Sequence, residues 1–385
     1  MKIVNISNYF NHLQKPLADS MYRVLGDDYK FIEITGVPEF RKKLGYQELK
    51  APYVLNYKRD GAQLIEKLIE EADCVIYGEA PLDLVKKRYR EGKLVFRDDE
   101  CRYKSVSRFL KWPIYTYNSL FLNKGYLLCA SAYGPIDYYL SGINPKKCFR
   151  WGYFPEVKHY ASIDELFEKK SQNKKVKIMW AGRLIPLKHP EYTIYAAEKL
   201  KEKGYSFEIN IVGGGSLEEK LKKKTDEKKL NDVIHFLGSM PPERVRSYME
   251  ESDIYLVTSD RNEGWGAVLN ESMNSGCAVV AGSNIGAAPY LVKDGMNGII
   301  FKSDNKKDFC DKVEYLLSNS ALRLQMGKAA YETILNVWNG EKAAENFISL
   351  CESILAGKTE FPIKDGPCSH APLLMRTWRG KFKVL

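Results

Sequence analysis

Short apolar runs recur along this chain at the spacing of alternating strands and helices, and they come in two sets. KIVNI, YKFIEI, CVIY, KLVF and YLLCA make the first; VKIMWAG, FEINIVGGG, VIHFLG, IYLVTS, AVVAG and GIIF make the second. Between them lie stretches such as Ala62–Ala72 and Leu82–Arg90, whose apolar residues recur at three and four positions, the period of a helix with one buried face. Alternation of this kind predicts an α/β chain with two doubly wound, Rossmann-like parallel sheets. A length of 385 residues is too great for one ordinary core and agrees with two domains. The charged, hydrophilic stretch Lys158–Lys174 divides the sets and is expected to link a domain over 1–157 to a second over 175–339. After Phe301 only helical patterns remain, to about Leu355, so residues 340–385 are expected to form a helix and a tail.

Composition narrows the setting. No window approaches the roughly 20 apolar residues of a membrane span, and Met1 opens directly into KIVNIS, too short and polar for a signal peptide, so a cytoplasmic protein is expected. The eight cysteines are scattered without CxxC spacing and read as reduced core thiols. A net charge of +10 favours anionic partners without choosing among them. The Lys-rich stretch Leu217–Lys229 is interrupted by Glu218, Glu219, Asp226 and Glu227, which makes it a solvated face and not a nucleic-acid stripe.

Ligands of open parallel sheets bind beyond the carboxyl ends of the strands, and three loops there carry candidate chemistry. After VKIMW comes AGRLIPLKHPEY. Gly182 lets the backbone turn, and Arg183 and Lys188 make a candidate clamp for a diphosphate, with a solvated basic loop as the alternative. After FEINIV comes GGGS. Gly213 and Gly214 would let a phosphate approach the following helix N-terminus, although the third spaced glycine of a GxGxxG fingerprint is missing and a tight turn explains them equally. After IYLVTS comes RNEGWGAVLNESMNSG, with Glu263 in the loop and Glu271 on a helix expected to run from about Gly266 to Gly276. Carboxylates accept hydrogen bonds from vicinal hydroxyls, so this pair could hold two polyols with the N–H groups of Gly264, Trp265 and Gly266 between them.

Taken in order and spacing, AGRLIPLK, IVGGGS and EGWGAVLNESMNSGCAVVAGSNIGAAPYLVKDGMNGIIF resemble the nucleotide-sugar domain of family 4 retaining glycosyltransferases of the GT-B fold, glycosyl transferases group 1. The likeness covers Lys175–Asn339 and, more loosely, LCASAYGPIDYYLSGINPKKCFRWGYFP in the first half. It implies two Rossmann-like domains facing a cleft, with Gly340–Leu355 as the helix that crosses back to the first. It also implies transfer of a hexose from a UDP- or GDP-sugar to a glycan or lipid-linked acceptor in cell-surface polysaccharide synthesis. Arg183 and Lys188 would then bind the donor diphosphate, Glu263 the transferred sugar and Glu271 the ribose. No cofactor or metal is implied, and no DxD cluster stands in a site loop.

The first domain departs from that family in two places. Where many members carry a glycine pair after the first strand, this chain has NISNYFNHLQ, leaving Asn11 and His12 as side-chain candidates. Where many carry a histidine after the fourth strand, KLVF is followed by RDDECRYK. Asp98, Asp99 or Glu100 would occupy that site, with Glu100 expected to be the one, and a helix cap with acids in its first turn as the alternative. Between Arg102 and Tyr126 basic and aromatic residues interleave, as on a surface that lies on an anionic membrane; a lid or ordinary aromatic packing is the other reading. Two further classes remain: another nucleotide-dependent enzyme, such as a GT-B epimerase or an NAD oxidoreductase, and a non-catalytic binding module.

Overall fold

The computed structural model describes residues 1–39, 48–100, 108–376 and 382–384. Cys101 and residues 102–107, the start of the basic and aromatic stretch, lie outside these. Contacts divide the chain into one unit built from Met1–Glu156 with Val337–Met375 and another built from Val157–Asn336.

The first unit holds strands β1 (Ile3–Ser7), β2 (Tyr29–Glu33), β3 (Val54–Asn56), β4 (Cys74–Tyr77), β5 (Leu94–Asp99), β6 (Tyr126–Cys129) and β7 (Cys148–Arg150). They form one parallel sheet in the order β3-β2-β1-β4-β5-β6-β7. The second unit holds β8 (Val176–Ala181), β9 (Phe207–Val212), β10 (Ile234–Gly238), β11 (Ile254–Val257), β12 (Ala278–Gly282) and β13 (Ile299–Phe301), parallel in the order β10-β9-β8-β11-β12-β13. Every expected strand is present. The three-residue strands β3 and β7 are too short to stand out as apolar runs.

Both sheets start in the middle, wind outward, and return past the starting strand. The order therefore reverses between β1 and β4 and again between β8 and β11, and each reversal opens a crevice at the carboxyl ends of the strands. Helices cover both faces, which is why β4, β11 and β12 are buried along their whole length. Each large apolar side chain so buried contributes roughly 1.5–3 kcal/mol.

Three local features differ from, or refine, the reading of the sequence. β5 runs on through Asp98 and Asp99, which pair with Leu128 and Cys129 of β6, so these acids stand on a strand end and not in a helix cap. The stretch expected to link the domains contains the helix Ile163–Ser171, capped by Ser162, with Phe167 and Lys170 buried. Lys170 Nζ donates to the carbonyls of Ser275 and Gly276, 2.9 Å each, so the helix is built into the second unit. The helix Gly340–Leu355, capped by the Asn339 side chain, packs in the first unit on the helix Lys15–Leu25. A Cβ on Gly340 would stand 2.7 Å from the Pro16 carbonyl carbon, so the approach of the two backbones requires glycine there. All the described cysteines are free, and all but Cys310 are buried.

Candidate functional site

In the second unit the loops after β8 and β11 flank the reversal of strand order and are bolted to each other. Trp180 Nε1 donates to Thr258 Oγ1 (2.8 Å), and the same hydroxyl donates to the Lys188 carbonyl (2.7 Å). Asp260 N donates to the Leu187 carbonyl (3.0 Å). His189 takes a left-handed backbone, φ +48°, unusual for a residue with a Cβ. Its ring holds that turn by bonding Glu191 Oε1 (2.7 Å) and facing Asp260 (3.6 Å). The bond to Glu191 raises the imidazole above its ordinary range, against the lowering by burial. The outcome is a direct contact between Lys188 Nζ and Glu263 Oε2, both largely covered. Arg183 projects from the same loop, exposed and without an ion partner among the described residues.

Glu271 is the fourth residue of the helix Val268–Asn274, which begins slightly later than the sequence suggests. Burial raises its carboxyl above the ordinary range, partly offset by the charge of Arg246. Its charge also bears on Tyr255, whose hydroxyl reaches the Ala181 carbonyl at the end of β8 (3.3 Å), so Glu271 lies toward the same crevice. Trp265 turns inward: its side chain is buried and its Nε1 donates to Asn270 Oδ1 (2.8 Å), which leaves only the backbone of Gly264, Trp265 and Gly266 to meet a ligand.

The glycine loop is shaped first by its neighbour. Gly213 has φ +127°, and a Cβ there would stand 2.0 Å from the Gly182 carbonyl oxygen, so the two glycine turns pack backbone to backbone. Gly213 N donates to the Gly238 carbonyl (2.8 Å), while the Gly214 carbonyl accepts from Leu184 N (2.9 Å). Glu218 and Glu219 occupy the first turn of the helix that follows.

The first unit has its own cavity, of about 620 Å³, at its reversal of strand order. Asn11, His12, Asp98, Asp99 and Glu100 all line it. Tyr153 donates to Glu100 Oε1 (2.5 Å), Tyr138 donates to Asp99 Oδ2 (2.8 Å), and Arg97 lies 3.5 Å from Asp99. Burial and the adjacent carboxylates of Asp99 and Glu100, against the Arg97 charge, push the Asp98 carboxyl up to about 7. On the opposite wall Asn8 Nδ2 donates to Glu79 Oε2 (2.6 Å), and Gln14 bonds both Ser7 and Asn11.

The sequence reading missed the residues that hold others in place. Thr258, Asp260 and Arg246 act through partners distant in the chain, and His189 does so toward Asp260. Glu79, Arg97 and Tyr153 reach the first cavity from three different strand ends. Only His189 carried a local signal, as the residue between Lys188 and the helix-opening Pro190. Among the described residues no group of three or more histidines, cysteines or acids is arranged to hold a metal ion.

Residues 162–333 match the family of glycosyl transferases group 1. A D-inositol 3-phosphate glycosyltransferase of Corynebacterium aurimucosum is 30% identical over 161 residues, 40% of this chain and 38% of that protein. A poly(ribitol-phosphate) alpha-N-acetylglucosaminyltransferase of Staphylococcus aureus is 27% identical over 173 residues, 45% of this chain and 34% of that one. An uncharacterized glycosyltransferase of Methanocaldococcus jannaschii is 30% identical over 206 residues, 52% and 51% of the two chains. These matches thus span about half or less of each relative. Among solved structures, Anabaena Alr3699/HepE in complex with UDP superposes with a TM-score of 0.67 at 13% identity, over 92% of this chain and 100% of the other. The lipopolysaccharide outer core galactosyltransferase WaaB gives 0.65 at 15%, over 93% and 100%. Residues 162–333 are therefore similar to glycosyl transferases group 1, and they sit in a chain with the two-sheet GT-B fold.

Proposed function

We propose that this chain is a retaining, metal-independent glycosyltransferase that moves a hexose from a UDP- or GDP-sugar to a glycan or lipid-linked acceptor of a cell-surface polysaccharide, working in the cytoplasm against the membrane. The observation that carries the reading is the Lys188–Glu263 pair at the reversal of the second sheet. One loop supplies an ammonium for an anionic leaving group, and the other a carboxylate for sugar hydroxyls. Relatives similar in sequence bear the names of glycosyltransferases, and solved neighbours hold UDP and UDP-glucose.

In this reading the donor diphosphate lies against Lys188 and Arg183, the hexose hydroxyls against Glu263, and the ribose against Glu271. Cleavage of the anomeric C–O bond sends its electron pair to the diphosphate, where Lys188 and Arg183 meet the new charge. The acceptor hydroxyl enters from the same face, forms the new bond, and passes its proton to a diphosphate oxygen. The acceptor occupies the cavity of the first unit, where Asp98, Asp99 and Glu100 accept its hydroxyl hydrogens.

A thermal-shift panel of nucleotide sugars and free nucleoside diphosphates, with and without EDTA, tests the reading, because a ligand of the folded state stabilises it by RT ln(1 + [L]/Kd). One nucleotide family should raise Tm, indifferent to EDTA. A shift with NAD alone, or with none of the panel, would reject it.

A further inference from the structure

We infer that the second unit holds a binding site for a small monocarboxylate with an apolar body, at the end of the sheet away from the donor crevice. A cavity of about 600 Å³ opens there between the helix Ile163–Ser171 and the helix Ser320–Asn336. Asp253 and Gly276 on its wall precede β11 and β12, so it lies at the amino ends of the strands, whereas the loops of Lys188 and Glu263 follow the carboxyl ends. Its volume is that of an ordinary small-molecule site.

The chemistry of the wall selects the ligand. Lys170 is buried and spends two of its three ammonium hydrogens on the carbonyls of Ser275 and Gly276. Arg323 spends Nη1 on the carbonyls of Leu316 (2.9 Å) and Leu317 (2.6 Å), at the end of the helix Lys306–Ser318. Both side chains line the cavity, and their remaining donors meet no acceptor among the described residues. The charge of Asp253 bears on both, but its Oδ2 accepts from Lys177 N (2.8 Å) and Asn173 Nδ2 (3.5 Å). One acid against two cations leaves a single positive charge for a ligand to balance. Lys328 is already paired with Asp164, and the carboxylate of Glu168 on the same wall opposes a dianion such as phosphate. The fork of an arginine fits the two oxygens of a carboxylate, while Phe167 and the half-exposed Leu324 offer apolar surface to the rest of the molecule.

Lys170 also links this site to the donor crevice. Ser275 and Gly276 follow directly on the helix Val268–Asn274, which carries Glu271, so a carboxylate that shares the Lys170 ammonium with their carbonyls acts on the placing of that helix. The ligand is then an effector of donor binding, a consequence that rests on the proposed function, and the coupling is reciprocal.

Isothermal titration of the full chain with hexanoate and benzoate, against hexanamide, benzamide and inorganic phosphate, tests the site. The two carboxylates should bind saturably, and the amides and phosphate at least tenfold more weakly. Leu324→Asp, at an exposed position, should abolish binding by setting a like charge on the apolar wall, with a circular dichroism melt close to that of the wild type. Arg323→Gln should weaken binding by about tenfold or more, the worth of a hydrogen bond to a charged group. No saturable binding of either carboxylate, amides or phosphate binding as tightly, or undiminished binding by Leu324→Asp would overturn the proposal. UDP titrated with and without saturating hexanoate separates the two readings. A several-fold change in the UDP Kd supports the coupling and an unchanged Kd removes it, whereas no UDP binding in either case counts against the donor assignment alone, since the hexanoate titration still decides the site.

Discussion

The two sheets share one winding order, yet the crevices at their reversals are built from different chemistry. In the second unit the crevice is a brace. Thr258, Asp260 and His189 tie two loops together and deliver one cation to one carboxylate. In the first unit it is a basin, lined by Asp98, Asp99, Glu100 and Glu79 together with Arg97 and a wall of amides. A brace suits a ligand of fixed shape and charge, such as a nucleoside diphosphate, because its geometry is set before binding. A basin of hydrogen-bonding side chains suits hydroxyl groups in many arrangements, which is why the proposed function gives it the acceptor and gives the brace the donor. Topology fixes where a crevice forms, and the loops decide what it holds.

The sharpest way to break this division is Lys188→Ala. Removal of one preorganised donor to the leaving group should lower turnover by on the order of a hundredfold. Acceptor KM should hold steady, because the loss belongs to the brace. Near-normal turnover in a donor-hydrolysis or transfer assay would end the assignment of Lys188.

Thr258→Val attacks the brace without touching a charge. The hydroxyl both accepts from Trp180 and donates to the Lys188 carbonyl, so valine leaves two buried groups unpaired, at about 1–3 kcal/mol. Tm should fall and nucleotide affinity should fall with it, while Thr258→Ser should restore both. If Thr258→Val lowers Tm and leaves the nucleotide Kd alone, the brace is a matter of folding only.

The difference in legibility between the two crevices has the same origin. Arg183, Lys188 and Glu263 stand in local words, AGRLIPLK and EGWG, whose order along the chain marks the loops. Apart from the short β3 and β7, the strands of both sheets were readable as well, because burial on both faces forces continuous apolar runs. What closes the second crevice was not readable: nothing local to Thr258 says that its hydroxyl meets Trp180, 78 residues away. The basin was visible only as a set of candidates. RDDE showed that acids follow the fourth strand in the chain's apolar pattern, but the extension of β5 through Asp99 depends on pairing with β6, a tertiary fact. Residues 158–174 looked like a linker for a related reason. Its lysines read as solvated until the structure shows Lys170 capping the carbonyl end of the helix that carries Glu271.

Asp98→Asn probes the basin through pH. The fold holds the carboxyl above the 3.8 of a free aspartate, at about 7, so its charged form is the disfavoured one. Its contribution to stability is therefore fully present at low pH, declines as pH rises from about 4 to about 7, and stays low beyond. Asparagine cannot ionise, so the variant should gain Tm relative to wild type at pH 8 and gain little at pH 5. A difference in Tm that does not change with pH would mean that Asp98 ionises as an ordinary surface acid. Because Asp99 and Glu100 are neighbours, the observed midpoint belongs to the group of acids and not to one residue.

The smallest effect is expected from Tyr153→Phe, which removes the hydroxyl that donates to Glu100. Glu100 keeps part of its surface, so water can replace the lost donor, and stability should fall by only about 1 kcal/mol. The kinetic consequence is more telling than the stability. Tyr153 fixes the orientation of the one acid that lies beyond the strand end, so acceptor KM should rise a few-fold while the nucleotide Kd is unchanged. Should the nucleotide Kd rise instead, Glu100 serves the donor, and the division of labour between basin and brace fails at the residue expected to replace the family's histidine.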